Sequence, residues 1–429
     1  MFGILSEPRK RKWVIVITMF LAIICNYLDR QLLSILQPEI LEHFGIGNLE
    51  YAWIVNVFLI CYAVMYPVSG ILVDRYGPRK VLAFGITVWS LACIGGGLSP
   101  NVWVFAACRG ILGLAEPTIF AGQLVAVTLW FEKKQRATAN SLCTVGGSLG
   151  AVIAPVVIAW LMNAFGYWQH VFVISGLVGL AVALVWIKVY RTPSDEVLAK
   201  TVYADEKEPD GSEQKAFTIS GLLKTRTLWG GVLIRLVSDP VWYFCCFWLP
   251  GFLRKMGNAE GLSNEQTLDM IQWIGGIPFL VGAAGGILTS VWSDRMVKKG
   301  RNPLSARKLM LISIVIIAPL VMLVPLISGS AMAFSYKIWS VIAIFSLMAV
   351  LCLSWLYTLP VVLAETFPVR NIATVMGICC GAGALGSVVF NQFVGSIPES
   401  VWGWLFVVMG TLHIFAAIIL WRMVRIERA

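Results

Sequence analysis

The stretch Gly70-Ile-Leu-Val-Asp74-Arg75-Tyr-Gly77-Pro-Arg79-Lys80 lies between two apolar runs, each long enough to cross a bilayer. Far along the chain, Gly286-Ile-Leu-Thr-Ser-Val-Trp-Ser-Asp294-Arg295 opens a second gap of the same kind, with Lys298, Lys299, Arg307 and Lys308 just beyond. One gap follows the second apolar run and the other follows the eighth. A glycine near the end of a span, then an acid and a cluster of bases, therefore recurs at equivalent places in two halves. Internal repeats of this type are how secondary transporters build two bundles around a central site.

Working outward, runs of about 20 apolar residues predict spans near 13–36, 51–73, 79–98, 102–130, 138–163 and 169–190. A second set is predicted near 227–252, 268–291, 308–328, 337–363, 372–394 and 400–423. The expected fold is an all-α membrane protein of twelve transmembrane helices in two six-helix bundles, 1–190 and 227–429. The polar segment 191–226 has no apolar run and reads as a cytoplasmic tether, with room for a short surface helix.

Composition agrees. The chain is 58% hydrophobic and 13% charged, with a mean hydropathy of +0.80, about half the charge of a soluble domain. Its net charge of +10 is not a nucleic-acid footprint. The bases sit in short gaps between apolar runs rather than along a stripe interleaved with exposed aromatics.

Most of them fall on one side: Arg9 to Lys12, the gap after span two, Lys133, Lys134 and Arg136, the tether, the gap after span eight, Arg370 and the tail. Arg254, Lys255 and Lys337 fall in the opposite gaps. The positive-inside rule then places both termini in the cytoplasm. The first run carries charges and is long enough to span, so it reads as a span and not a cleaved leader. All ten cysteines lie within apolar runs and read as small hydrophobes, not disulfides or metal ligands. HExxH, CxxC pairs and phosphate-cradling glycine loops are absent, so an enzyme is not expected.

Ionisable side chains at bilayer depth mark ion or substrate pathways. Span one carries Asn26-Tyr27-Leu28-Asp29-Arg30, and span four carries Arg109-Gly-Ile-Leu-Gly113-Leu-Ala-Glu116-Pro117. The spacing of Arg109 and Glu116 puts them on one helix face, two turns apart. An arginine keeps its proton and its planar fork suits a carboxylate; a carboxyl in a low-dielectric cavity can carry a proton. Arginines holding an organic anion while Asp29 and Glu116 exchange protons is one reading. Two internal ion pairs that fix helix packing is the other. Arg235 and Asp239 in span seven are four apart and read as a pair. His413 in span twelve reads as a core histidine.

The chain resembles the major facilitator superfamily, whose loop signature G-x-L-x-D-R-x-G-R-[RK] is carried by Gly70 to Lys80, with Pro78 as a departure, and more loosely by Gly286 to Arg295. The resemblance implies a conformational latch formed by Asp74, Arg75, Arg79, Asp294 and Arg295. Gly146, Gly147 and Gly150 before Pro155, and Gly381, Gly383 and Gly386, resemble the family's glycine-rich packing motif.

The span-one and span-four motifs resemble the anion:cation symporters, a branch with hexuronate and hexonate carriers. That likeness implies Asp29 and Glu116 as the proton-coupling pair, with Arg30, Arg109 and Tyr62 at the substrate. In the second half the D-P-V-W…F-W-L-P string of span seven resembles the hexuronate carriers. Candidate substrate contacts there are Trp242, Trp355, Tyr357 and Asn391, since sugar acids need aromatic faces and hydroxyl-directed polar groups. The expectation is a proton-coupled symporter importing a sugar-acid anion, foremost a hexuronate. Exchange or export of another organic anion is the alternative. Protons are the coupling ion with no further cofactor, and the chain is expected to act as a monomer in the cell's inner membrane.

Overall fold

In the computed structural model, which describes residues 8–131, 133–201, 217–367, 371–398 and 401–425, the described residues are helical with no strand. Twelve helices among them are long and apolar enough to cross a membrane. In order, spans one to six are Lys10–Ile35, Asn48–Val73, Arg75–Gly97, Val102–Trp130, Leu142–Phe165 and Trp168–Val189. Spans seven to twelve are Arg226–Phe247, Asn264–Lys298, Pro303–Ser328, Phe334–Leu363, Thr374–Ser396 and Trp402–Met423. The all-helical answer follows from the solvent: lipid offers no partner to a backbone N–H or C=O, so each span must satisfy its own. Of the tether, residues 202–216 lie outside the described residues; a short helix Asp195–Thr201 precedes them and Ile219–Lys224 follows.

The chain packs as two compact units, Met1–Leu33 with Ile60–Glu213 and Ser34–Leu59 with Gln214–Ala429.

In the first unit, local chemistry sets where spans begin and end. Gly77, near the start of span three, has φ of 77° and ψ of 156°, a backbone region that side chains avoid, and breaks the helix there. Pro78, the departure from the family signature, follows at once and suits the first turn of the helix that continues beyond the break. Asn101 caps span four by accepting from the backbone N–H of Trp103 at 3.1 Å and of Val104 at 3.0 Å. Span four itself is two helices, Val102–Ala115 and Thr118–Trp130, interrupted at Glu116 and Pro117.

Span five lies so close to span one that its glycines have no room for a side chain. A Cβ on Gly147 would sit 2.6 Å from the Tyr27 ring, and one on Gly150 would sit 2.8 Å from the carbonyl oxygen of Ile24. The second unit repeats this seam. A Cβ on Gly383 of span eleven would sit 2.0 Å from the Asp239 carboxylate of span seven, and one on Gly386 would sit 2.2 Å from the carbonyl oxygen of Leu236. Small residues are what let helices approach this closely in lipid. The glycines of spans five and eleven thus face the charged spans of their own units.

The gap after span seven holds a helix, Leu249–Ala259, and Arg254 in it is 0% exposed. Every N–H of the guanidinium is used. Two run as a fork to Glu39, at 2.8 and 2.7 Å. The others reach the carbonyls of Ile35 at 3.1 Å and Asn264 at 3.1 Å, and the hydroxyl of Thr267 at 3.4 Å. Full hydrogen bonding is what makes a buried charge tolerable. Lys337 likewise pairs with Glu260 at 2.7 Å.

Candidate substrate and coupling site

The first unit gathers four charged side chains from spans one and four at bilayer depth. Glu116, at the interruption of span four, is 0% exposed, and Arg30 of span one is 12% exposed. The Nε and Nη2 of Arg30 lie 2.7 and 2.6 Å from the same oxygen, Oε2 of Glu116. Among the described residues Oε1 has no hydrogen-bond partner. Asn26, wholly buried, stands beside the carboxylate without reaching hydrogen-bond geometry. The Arg30 guanidinium also lies over the rings of Tyr62, at 4.7 Å, and Tyr27, at 5.2 Å, within cation–π range. Tyr62 is buried, so its ring is a floor under the cation.

Asp29 and Arg109 form the second half of the cluster. Both are 1% exposed. Arg109 donates to the main-chain oxygen of Asp29 at 3.3 Å, which ties span four to span one. The Asp29 carboxylate points to spans six and three, where its Oδ1 accepts from the Ser175 hydroxyl at 2.5 Å and from the Cys93 thiol at 3.5 Å. Among the described residues its Oδ2 has no hydrogen-bond partner. Ser175 and Cys93 carry no signal in the sequence, since a serine or cysteine in an apolar run is ordinary; only the fold shows that both meet an acid.

The cluster is neutral when both carboxyls are ionised: two arginines against two acids. One proton added to it leaves a net positive charge in a low-dielectric setting, where such charges act strongly. Such a cluster suits the joint carriage of a proton and an anion. Arg30 is its most accessible member, and its guanidinium lies over two aromatic rings.

The second unit holds its own charged pair. Arg235 and Asp239 lie 3.2 Å apart within span seven, as their spacing predicts, and Arg235 also lies 3.3 Å from the Cys380 sulfur. The four candidates of this unit meet four different neighbours. Trp242 is half-buried and edge-on to Phe279 at 5.7 Å. Trp355 is buried against His413 at 5.8 Å. Tyr357 packs on Gly286, where a Cβ would meet its ring at 2.9 Å. Asn391 accepts from the Trp248 indole at 2.9 Å, and its amide nitrogen has no hydrogen-bond partner among the described residues.

Of the latch residues, the side chain of Asp74 lies outside the described residues. Arg75 is exposed and lies 5.3 Å from the ring of Tyr76. Arg79 makes a reciprocal tie with the end of span six: its guanidinium donates to the Ile187 carbonyl at 3.2 Å, and its own carbonyl accepts from the Trp186 indole at 3.1 Å. Asp294 pairs with Arg307 at 3.0 Å, and Arg307 donates on to Glu365 at 2.8 Å. Arg295 is exposed. Arg307 and Glu365 were missed as functional candidates. In the sequence Arg307 is one base among several after span eight, and Glu365 is a single acid just past span ten.

Twelve spans in two repeated halves, with paired loop motifs and a buried cluster of opposite charges, define a secondary solute carrier. The Major Facilitator Superfamily model matches residues 19–264, and the chain belongs to that family. It is 30% identical over 286 residues to the galacturonate transporter of Dickeya chrysanthemi, covering 65% of this chain and 80% of that one. It is 25% identical over 418 residues to the hexuronate transporter of Escherichia coli strain K12, covering 96% and 93%. Among solved structures, a D-xylose-proton symporter superposes with a TM-score of 0.72 at 15% identity, covering 96% and 98%. The chain is a multi-pass membrane transporter, not an enzyme, and its relatives carry sugar acids.

Proposed function

We propose that this chain is a proton-coupled symporter that imports a monovalent sugar-acid anion, a hexuronate foremost, by alternating access. The observation that carries the reading is the Arg30–Glu116 contact. Two guanidinium nitrogens lie within 2.7 Å of one buried carboxylate oxygen, and Nε donates to it. A proton on Glu116 removes the charge that Arg30 answers, and frees that planar fork for a substrate carboxylate. Arg109, Asp29 and the Tyr62 ring supply the rest of the setting. A proton and an anion arriving together leave the cluster's net charge unchanged, so the loaded and empty forms are both able to cross, whereas a half-loaded one carries an uncompensated charge at bilayer depth.

On this reading the coupling ion is the proton and no other cofactor is used. The chain works as a monomer in the cell's inner membrane, with both termini cytoplasmic. The names of the galacturonate and hexuronate relatives support the substrate class. The test is uptake into proteoliposomes of labelled galacturonate, glucuronate, gluconate and galactarate, with and without an inward proton gradient. Concentrative hexuronate uptake that collapses with a protonophore is expected. Uptake indifferent to the gradient, with brisk counterflow, would assign the chain to exchange instead.

A further inference from the structure

Along the face of span three runs a cleft of about 550 Å³, walled by spans two and four. Tyr76, Lys80, Phe84 and Val88 recur at four-residue steps along it, with Leu72 on one wall and Leu114 on the other. Phe84 is 71% exposed and Leu114 is 42% exposed, so the cleft opens outward from its unit. The eight residue steps from Lys80 to Val88, all beyond the break at Gly77, correspond to roughly 12 Å of helix. One leaflet of the hydrocarbon core is about 15 Å deep. The cleft therefore has the length and chemistry of a single lipid tail reaching from the interface towards the bilayer centre.

Its mouth is cationic. Lys80 lines the cleft and is exposed, and the Arg75 guanidinium lies against the ring of Tyr76, which also lines it. The positive-inside count puts this end in the cytoplasmic leaflet, where anionic lipids concentrate and each juxtamembrane base contributes about 1 kcal/mol of attraction.

We propose that this cleft is a binding site for an anionic phospholipid of the cytoplasmic leaflet. One acyl chain lies along Phe84 and Val88, and the phosphate sits between Lys80 and Arg75. The inference rests on the orientation of this gap and not on which solute is carried.

The full-length chain is purified in detergent and titrated with phosphatidylglycerol, with phosphatidylcholine of the same chains, and with inorganic phosphate; bound lipid is counted by native mass spectrometry. Occupancy by phosphatidylglycerol at least fivefold above phosphatidylcholine is expected, with inorganic phosphate unable to displace it. Lys80→Gln should cut that preference by threefold or more, and Val88→Trp, which fills the cleft, should lower retention of both lipids. Each variant's thermal midpoint without added lipid reports whether it folds. Equal occupancy by the two lipids, full preference in Lys80→Gln, undiminished retention in a folded Val88→Trp, or displacement by inorganic phosphate would each overturn the site.

Discussion

Replacing Glu116 by Gln keeps the shape of the side chain and removes its ability to take up and release a proton. In the structure its carboxylate is the group to which both contacting nitrogens of Arg30 turn, so the change acts where proton and anion are proposed to meet. The size of the effect follows from counting titratable groups. A gradient of one pH unit is worth about 1.4 kcal/mol per proton, a factor of ten. With the membrane potential clamped at zero, a carrier that moves one proton per anion accumulates its substrate up to about tenfold per pH unit. A carrier that uses both Asp29 and Glu116 accumulates up to about a hundredfold. Glu116→Gln should thus lower the limiting accumulation by about a factor of ten, and abolish it if Glu116 is the only coupled group. Counterflow, which needs no net proton movement, should persist. The assay is labelled hexuronate in proteoliposomes with potassium and valinomycin holding the potential, across internal-to-external differences of zero, one and two pH units. A variant that accumulates substrate as steeply with the gradient as the unmodified chain would refute the coupling role of Glu116.

The ring under Arg30 gives a second test: Tyr62→Ala removes a buried cation–π contact of about 1–2 kcal/mol, so the half-saturation for uptake should rise five- to thirtyfold, whereas Tyr62→Phe should stay near the starting value. Arg254→Ala leaves Glu39 without its fork and should lower stability by about 3–5 kcal/mol, read as a fall in the thermal midpoint in detergent; a shift under a degree would show that the five-bond cage is dispensable. In the second unit, Gly386→Ala forces a methyl against the Leu236 carbonyl and should cost about 1–3 kcal/mol, measured in the same way, while Gly403→Ala, whose methyl would meet only the Pro325 ring at 3.9 Å, should be silent. Asp294→Asn should change the midpoint little, because Asp294 is 59% exposed and an exposed pair contributes at most about 1 kcal/mol; slowed uptake at unchanged midpoint would mark it as a conformational residue.

Twelve spans were legible because length and apolarity are one-dimensional properties, and lipid leaves a helix as the only open solution for a single segment. The charged residues of spans one and four stood out for the same reason: scarcity makes each acid or base at that depth conspicuous. The rotation of each helix was not legible. A span that is apolar all round has no face that says where it turns, so nothing in the order of residues shows that Trp355 meets His413, or that Asp29 turns towards Ser175 and Cys93. The cage around Arg254 was not legible for a related reason. Counting bases by gap says nothing of burial, and its partner Glu39 lies 215 positions away, beyond the reach of any local pattern.

The paired glycine seams have a consequence for how this carrier can change over generations. Tyr27 rests on Gly147, two positions before Asp29 and three before Arg30, and Asp239 rests on Gly383. A mutation at either glycine alters the aim of charged groups it never joins chemically. The bare positions on spans five and eleven are thus tied to what they face: a larger residue there needs a matching change across the seam.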